Sequence, residues 1–147
     1  MTNELEEKLL TAAPILYQQY NKLPNETCMC WGFECPDTWF DLLFDLSQKL
    51  ESFNNEFKEY NCSIQAAQVK EKYGELCFYY DVKLKEKLDR ETFEIIKSRI
   101  KLLDKFILET ERKSSKICAF CWKPATHCTD GWVTYLCDDC DVKKRPV

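Results

Sequence analysis

Four cysteines near the carboxyl end stand in two pairs, Cys118-Ala119-Phe120-Cys121 and Cys137-Asp138-Asp139-Cys140, with fifteen residues between the pairs. Two residues between cysteines let a tight turn aim both sulfurs at one ion about 2.3 Å away, and two such turns complete a tetrahedron. The chemistry this spacing predicts is a zinc ribbon holding one Zn2+ structurally. A catalytic zinc keeps a coordination position open, and four thiolates leave none. His127 and Cys128 lie between the pairs and are the alternative donors for one position. Four thiolates on a divalent ion leave an excess of negative charge, to which Asp138, Asp139 and Asp141 add, so this face is acidic and poorly suited to phosphate. The residues 122–136 are expected to fold as a short hairpin, with Trp132, Val133, Tyr135 and Leu136 in its second strand. A unit this small buries too little apolar surface to fold alone, so the metal supplies its folding energy.

Other chemistry-bearing residues have plainer readings. Cys28, Cys30 and Cys35 lie close together but not at a standard ligand spacing. Together with Cys62 and Cys77 they read as buried or half-buried thiols that behave as small hydrophobes. His127, the only histidine, has no identifiable nucleophile or carboxylate partner for general-base work. The tail Lys143-Lys144-Arg145 could grip phosphate or an acidic protein surface, though short basic tails are mostly solvated. Trp122 and Trp132 belong to a module with almost no interior and are expected to be partly exposed, as anchors for a protein partner. No phosphate-binding glycine loop, nucleophile elbow or HExxH is present, so no enzymatic activity is expected.

These groups must be positioned by the elements upstream. Leu5, Leu9, Leu10, Ile15, Leu16 and Tyr20 recur at helical spacing over 3–20. Asn3 is the expected cap with Glu6 three residues on, and Pro14 divides the segment into two short helices. Residues 21–35 are a connection rich in apolar groups, expected to lie on a core. A helix over 37–53, capped by Asp37, carries a stripe of Trp39, Leu42, Leu43, Leu46, Leu50 and Phe53. The period then changes to two. Residues 64–72 and 75–82, joined by Tyr73-Gly74, predict a hairpin with Leu76, Phe78 and Tyr80 on one face and Cys77, Tyr79 and Asp81 on the other. Asp89 caps a helix over 90–113, on the order of 36 Å long, whose inner stripe is Phe93, Ile96, Ile100, Leu103 and Ile107. Its far end is expected to project beyond the small sheet and lead into Cys118. The fold class is therefore α+β: helices at 3–20, 37–53 and 90–113 against an antiparallel hairpin at 63–82 in a domain of residues 1–116, then a zinc ribbon and basic tail at 117–147.

Composition fits one soluble globular domain with a small appendage: 147 residues, 45% hydrophobic and 31% charged. The net charge of −4 argues against a protein whose main task is coating nucleic acid. The start, Met1 to Glu7, is acidic and unlike a secretory signal, so a cytoplasmic setting is expected, where thiols stay reduced and ten cysteines read as ligands and buried thiols.

The segment Gly32-Phe-Glu-Cys35-Pro-Asp-Thr-Trp39-Phe-Asp-Leu-Leu43, the segment Gln68-Val-Lys-Glu-Lys-Tyr73-Gly-Glu-Leu76-Cys-Phe-Tyr79, and the Cys118–Cys140 ribbon with Gly131-Trp132 occur in that order. Taken together they resemble a widespread family of small phage and prophage proteins. That family carries a GDGW helix start, a QVKEKFGxLRFY segment and a C-terminal four-cysteine ribbon. Pro36-Asp37-Thr38 departs from Gly-Asp-Gly, Cys77 stands at the usual arginine, and Trp122 follows Cys121 where glycine is usual. The resemblance implies a mobile-element origin in a host cytoplasm and implies no activity. Without a catalytic frame, the expected function is docking on a host protein machine and modulating or inhibiting it. A nucleic-acid-handling defence effector such as a CRISPR-type nuclease is the plausible target, steered by the acidic balance. The projecting helix end, Trp122, Trp132 and the basic tail would form the contact surface. The alternative is direct nucleic-acid binding through the ribbon with Lys143, Lys144 and Arg145.

Overall fold

A computed structural model of the chain describes residues 1–144. It is α+β, as the periodicities predict. The helices are α1 (Asn3–Ala12), α2 (Phe40–Glu56), α3 (Arg90–Ser114) and α4 (Asp138–Lys144). The strands are β1 (Phe33–Glu34), β2 (Cys62–Lys72), β3 (Glu75–Leu84), β4 (His127–Cys128) and β5 (Tyr135–Leu136). Among the described residues no helix is long and apolar enough to cross a membrane.

β2 and β3 form the predicted antiparallel hairpin, in register from Cys62 opposite Leu84 to Lys72 opposite Glu75, with a bulge between Ala66 and Gln68. Leu76 and Phe78 are buried and Tyr79 is exposed, as the alternation requires. Tyr73 and Gly74 both have positive φ, 54° and 80°, the turn geometry whose twist matches the strands it joins. The Glu71 carboxylate accepts the Gly74 N–H at 2.6 Å. β1 adds a third strand that no period could announce: Phe33 and Glu34 run parallel to β2 beside Val69 and Lys70.

The stretch of β2 that the short β1 leaves uncovered, and part of the free edge of β3, are met by groups that are not strands. On β2, the Leu16 carbonyl accepts the Ala66 N–H at 2.8 Å. The Asn54 side chain pairs with both polar groups of Ile64, accepting its N–H at 2.7 Å and donating to its carbonyl at 3.0 Å. On β3, the Leu76 N–H donates to Ser114 Oγ and the Phe78 N–H to Glu111 Oε1, each at 2.8 Å. The last turns of α3 are thereby seated on the sheet edge, which would otherwise present unpaired donors. The carboxyl end of α3 does not project, contrary to expectation: Ser114 is fully buried.

The core gathers around Trp39, Leu43, Leu46, Leu50 and Phe53, all buried, the stripe read from the sequence. Leu42 is only half-buried. Four local expectations are corrected. Residues 13–22 form a succession of turns in place of a second helix, because Pro14 cannot continue α1 and the Ile15 and Leu16 N–H groups are taken by the Glu51 carboxylate at 3.0 and 2.9 Å. The α1 cap is Thr2, not Asn3, and Glu6 is buried, accepting from the Phe33 N–H and the Tyr20 hydroxyl. Asp37 opens a single 3-10 turn (37–39) ahead of α2, and its carboxylate accepts the Thr2 N–H at 2.7 Å. Phe93 lies 48% exposed near the start of α3, in an open apolar groove that it shares with Cys62, Val82 and Leu84, while Asp89 caps that helix as predicted.

Candidate metal centre

The residue after α3 is Ser115, and three residues later the chain reaches Cys118. The first cysteine pair sits on a turn closed by the Cys118 N–H to the Lys123 carbonyl at 2.8 Å. The second pair sits where α4 begins, with the Cys140 and Asp141 N–H groups both donating to the Cys137 carbonyl. β4 and β5 join the two turns, His127 opposite Leu136 and Cys128 opposite Tyr135. The hairpin is shorter than predicted. Trp132 and Val133 fall in the loop that Thr129 closes by accepting the Thr134 N–H and donating to the Trp132 carbonyl.

Cys118, Cys121, Cys137 and Cys140 are brought together, all four sulfurs within 4.8 Å of one another. Around a 2.3 Å metal–sulfur bond, a tetrahedron places its sulfurs ~3.8 Å apart, so the cluster has the size such a site requires. Cys118 and Cys137 are buried, Cys121 and Cys140 half-buried. Burial pushes the Cys118 thiol up, but backbone N–H groups of the two turns and the neighbouring thiols outweigh it and bring it down to about 6. The Cys140 thiol is pushed up to about 12, first by its hydrogen bond with Cys121. Four crowded thiols hold their protons unequally, the state a cation relieves by replacing them. The four-sulfur set can hold a metal ion.

His127 and Cys128 stand apart from the cluster. His127 Nε2 meets Asp138 Oδ1 at 2.6 Å, and Cys128 is exposed with its sulfur toward the Thr129 carbonyl. The Thr126 hydroxyl, then His127, hold the Asp138 carboxyl below its usual range. Lys123 pairs with Asp139. Among the described residues Cys28, Cys30 and Cys35 gather no metal-binding cluster, and Cys28 is exposed, contrary to the buried or half-buried thiol expected there. Cys35 is buried, and desolvation beside the Glu6, Asp37 and Glu34 carboxylates pushes its thiol up to about 12. It is a protonated core group.

Of the predicted contact residues, Trp122 is 58% and Trp132 82% exposed. Phe120, which sequence reasoning passed over, is 54% exposed. Trp122 holds a φ of 61°. A bulky side chain in this left-handed region carries strain of about 1–3 kcal/mol. Lys143 and Lys144 fall in α4, and Arg145 lies outside the described residues.

The metal module is seated on the β2–β3 turn. A Cβ at Gly74 would come within 2.9 Å of the Tyr135 ring and 3.0 Å of Val133 Cγ1. Gly74→Ala is therefore expected to cost at least about 1–2 kcal/mol from the left-handed backbone alone, with the crowding added. Thermal unfolding should report the loss while metal content stays that of the wild type. Wild-type stability in this variant would mean that the seat adjusts freely.

Compared with protein-family models, with curated proteins and with solved structures, the chain finds no match in any of the three.

Proposed function

We propose that this chain is a zinc-ribbon protein of mobile-element origin that acts without catalysis, by docking on a host protein machine and modulating or inhibiting it. The ion is one structural Zn2+ on Cys118, Cys121, Cys137 and Cys140, since four thiolates fill a tetrahedral shell and select zinc among common divalent ions. The observation that carries the docking reading is the set of large aromatic side chains, Phe120, Trp122 and Trp132, left more than half exposed around so small a module. Exposed aromatic anchors are what protein interfaces use. The two most buried carboxylates, Glu6 and Glu51, have their oxygens engaged by backbone N–H groups and side-chain donors, which supports structural work for them over acid–base chemistry. The acidic surroundings of the cysteines suit a partner with a basic groove, such as a nucleic-acid-handling defence nuclease of the CRISPR type.

The test is affinity capture from host lysate with zinc-loaded protein, with and without nuclease, followed by reconstitution with the purified partner. The expected result is a stoichiometric protein that survives nuclease, is lost with Trp122→Ala and Trp132→Ala together, and has altered activity in the complex. Recovery of nucleic acid alone, lost in moderate salt, would replace this reading with direct nucleic-acid binding.

A further inference from the structure

The end of α3 covers only the first part of the free edge of β3. The ladder with β2 uses alternate residues of β3, so the N–H and C=O groups of the others point away from β2. Leu76 and Phe78 are two of these, and Ser114 and Glu111 meet their N–H groups. Tyr80, Val82 and Leu84 continue the same parity. Opposite them stand Ala66, Ile64 and Cys62, and the N–H groups of Ala66 and Ile64 likewise leave the ladder, for Leu16 and Asn54. Among the described residues no group meets the outward N–H or C=O of Tyr80, Val82 or Leu84. The sheet therefore has an open edge over 80–84. A groove of about 210 Å³ lies between β3 and the amino-terminal half of α3, and the edge residues Val82 and Leu84 line it. With Phe93 they are each about half exposed, over Cys62 and Ile96, which are buried. Lys97 and Lys101 also line the groove, and among the described residues no carboxylate does. Lys97 meets Glu94 at 4.0 Å, and Lys101 has no ion-pair partner among the described residues. Lysines commonly guard an exposed edge, but Lys83 lies on the other face of β3, paired with Asp81 at 3.1 Å.

We infer that this edge and groove receive an extended acidic segment of a protein partner, added to the three-stranded sheet as a fourth strand beside β3. The unpaired N–H and C=O groups set the form of the occupant, because another extended backbone offers acceptors and donors at the matching spacing. The groove sets its side chains. A strand sends every second side chain to one face. The residue over Val82 and Leu84 is therefore apolar, and its neighbours two positions away carry carboxylates toward Lys97 and Lys101. A second copy of this chain fits less well. Its own β3 would present Tyr80, Val82 and Leu84 on this face, which leaves both lysines unmet. The surface shares no residue with the exposed aromatics of the metal module and carries the opposite charge to the cysteine turns. It is a second contact, independent of the docking reading above.

The test titrates the zinc-loaded, nitrogen-15-labelled full chain with a capped heptapeptide in which threonines alternate with glutamate, valine and glutamate. At about millimolar peptide or below, the amide resonances of Tyr80, Val82 and Leu84 should shift and their hydrogen exchange should slow, while those of 117–142 stay in place. N-methylation of the peptide backbone should follow parity: methyl groups on one alternate set of residues weaken binding about tenfold or more, and those on the other set leave it unchanged. Lysine in place of both glutamates should weaken binding about tenfold or more. Lys97→Glu with Lys101→Glu should then accept the lysine peptide and reject the original one. Val82→Pro removes the central outward donor at a position where an edge strand accepts proline. It should weaken binding equally with a thermal midpoint close to that of the wild type. If that variant unfolds, the charge-reversed pair decides. Methylation without parity, a lysine peptide that binds the wild type as well, or no change at 80–84 would overturn the inference. A dimer in sedimentation that protects the same amides without peptide would assign the edge to a second copy and overturn it as well. No host partner enters this test, so peptide binding stands even where lysate capture recovers nothing, and a captured partner does not rescue an edge that ignores the peptide.

Discussion

Cys118→Ser is expected to release the metal and unfold residues 117–142, leaving the α+β body folded. The reason lies in how little else holds the module together. Its buried apolar cluster is Cys118, Leu136 and Cys137, with Cys121 and Cys140 packed against them, so that only Leu136 is not itself a proposed ligand. Burying one leucine is worth on the order of 2 kcal/mol. Structural zinc contributes ~10–16 kcal/mol in small modules. The metal is therefore by far the larger of the two terms set against the entropy of ordering the module. Serine removes one thiolate from the buried corner of the tetrahedron, where no neighbouring donor can replace it. Dialysis against a mild chelator should leave the variant with much less than one zinc per chain. Backbone resonances of 117–142 should collapse to unstructured positions while those of β2 and β3 stay dispersed. Cys137→Ser should behave alike. Cys128→Ser and His127→Ala should keep the metal, because those side chains face Thr129 and Asp138. One zinc per chain in Cys118→Ser, or its loss in His127→Ala, would show that the ligand set is wrong.

Residues that act over short spans of sequence were legible in it, and those that act through distant partners were not. The two CxxC turns, the alternation at 75–82, the α2 stripe and the Asp89 cap each follow from neighbours a few positions apart. The sheet edges do not. β1 has two residues, too few for any period, and exists because Val69 and Lys70 lie beside it. Asp37 and Glu6 look like helix-capping residues locally, yet their carboxylates are engaged by Thr2 and by Phe33 with Tyr20. Tertiary donors outcompeted the local ones. Phe93 kept the helical spacing of the stripe but shares an open groove with Val82 and Leu84, themselves half exposed, so nothing closes over it. At the carboxyl-terminal module, spacing pointed to the four cysteines that come together, but it could not show that Trp122 adopts a positive φ or that Thr38, Trp39 and Trp122 line one cleft. That cleft is built from three separate stretches, and no one of them contains it.

Glu51 is the residue whose weight is hardest to see in the sequence. On a helical wheel it is one more charged position of α2, and it is 6% exposed. Its carboxylate accepts three hydrogen bonds: the Ile15 N–H at 3.0 Å, the Leu16 N–H at 2.9 Å and Asn54 Nδ2 at 3.3 Å. The first two hold the turns after Pro14, and Leu16 in turn closes the β2 edge through its carbonyl. Asn54, one helical turn on, pairs with Ile64 of that same edge. One carboxylate therefore ties α2, the 13–17 turns and the central strand into a single network. Glu51→Ala leaves two backbone donors unpaired inside the body, at about 1–3 kcal/mol each, and frees Asn54 from one of its anchors. The expected loss is roughly 3–5 kcal/mol, a large share of what a domain this size possesses. Glu51→Gln keeps one acceptor oxygen but turns an NH2 toward the other donor, so it should lose less than alanine does. Urea unfolding of the zinc-loaded chain measures both. If alanine costs under about 1 kcal/mol, water replaces the carboxylate without penalty. The 13–17 turns are then held by Leu9, Leu16 and Tyr17 in the core, and not by this charge.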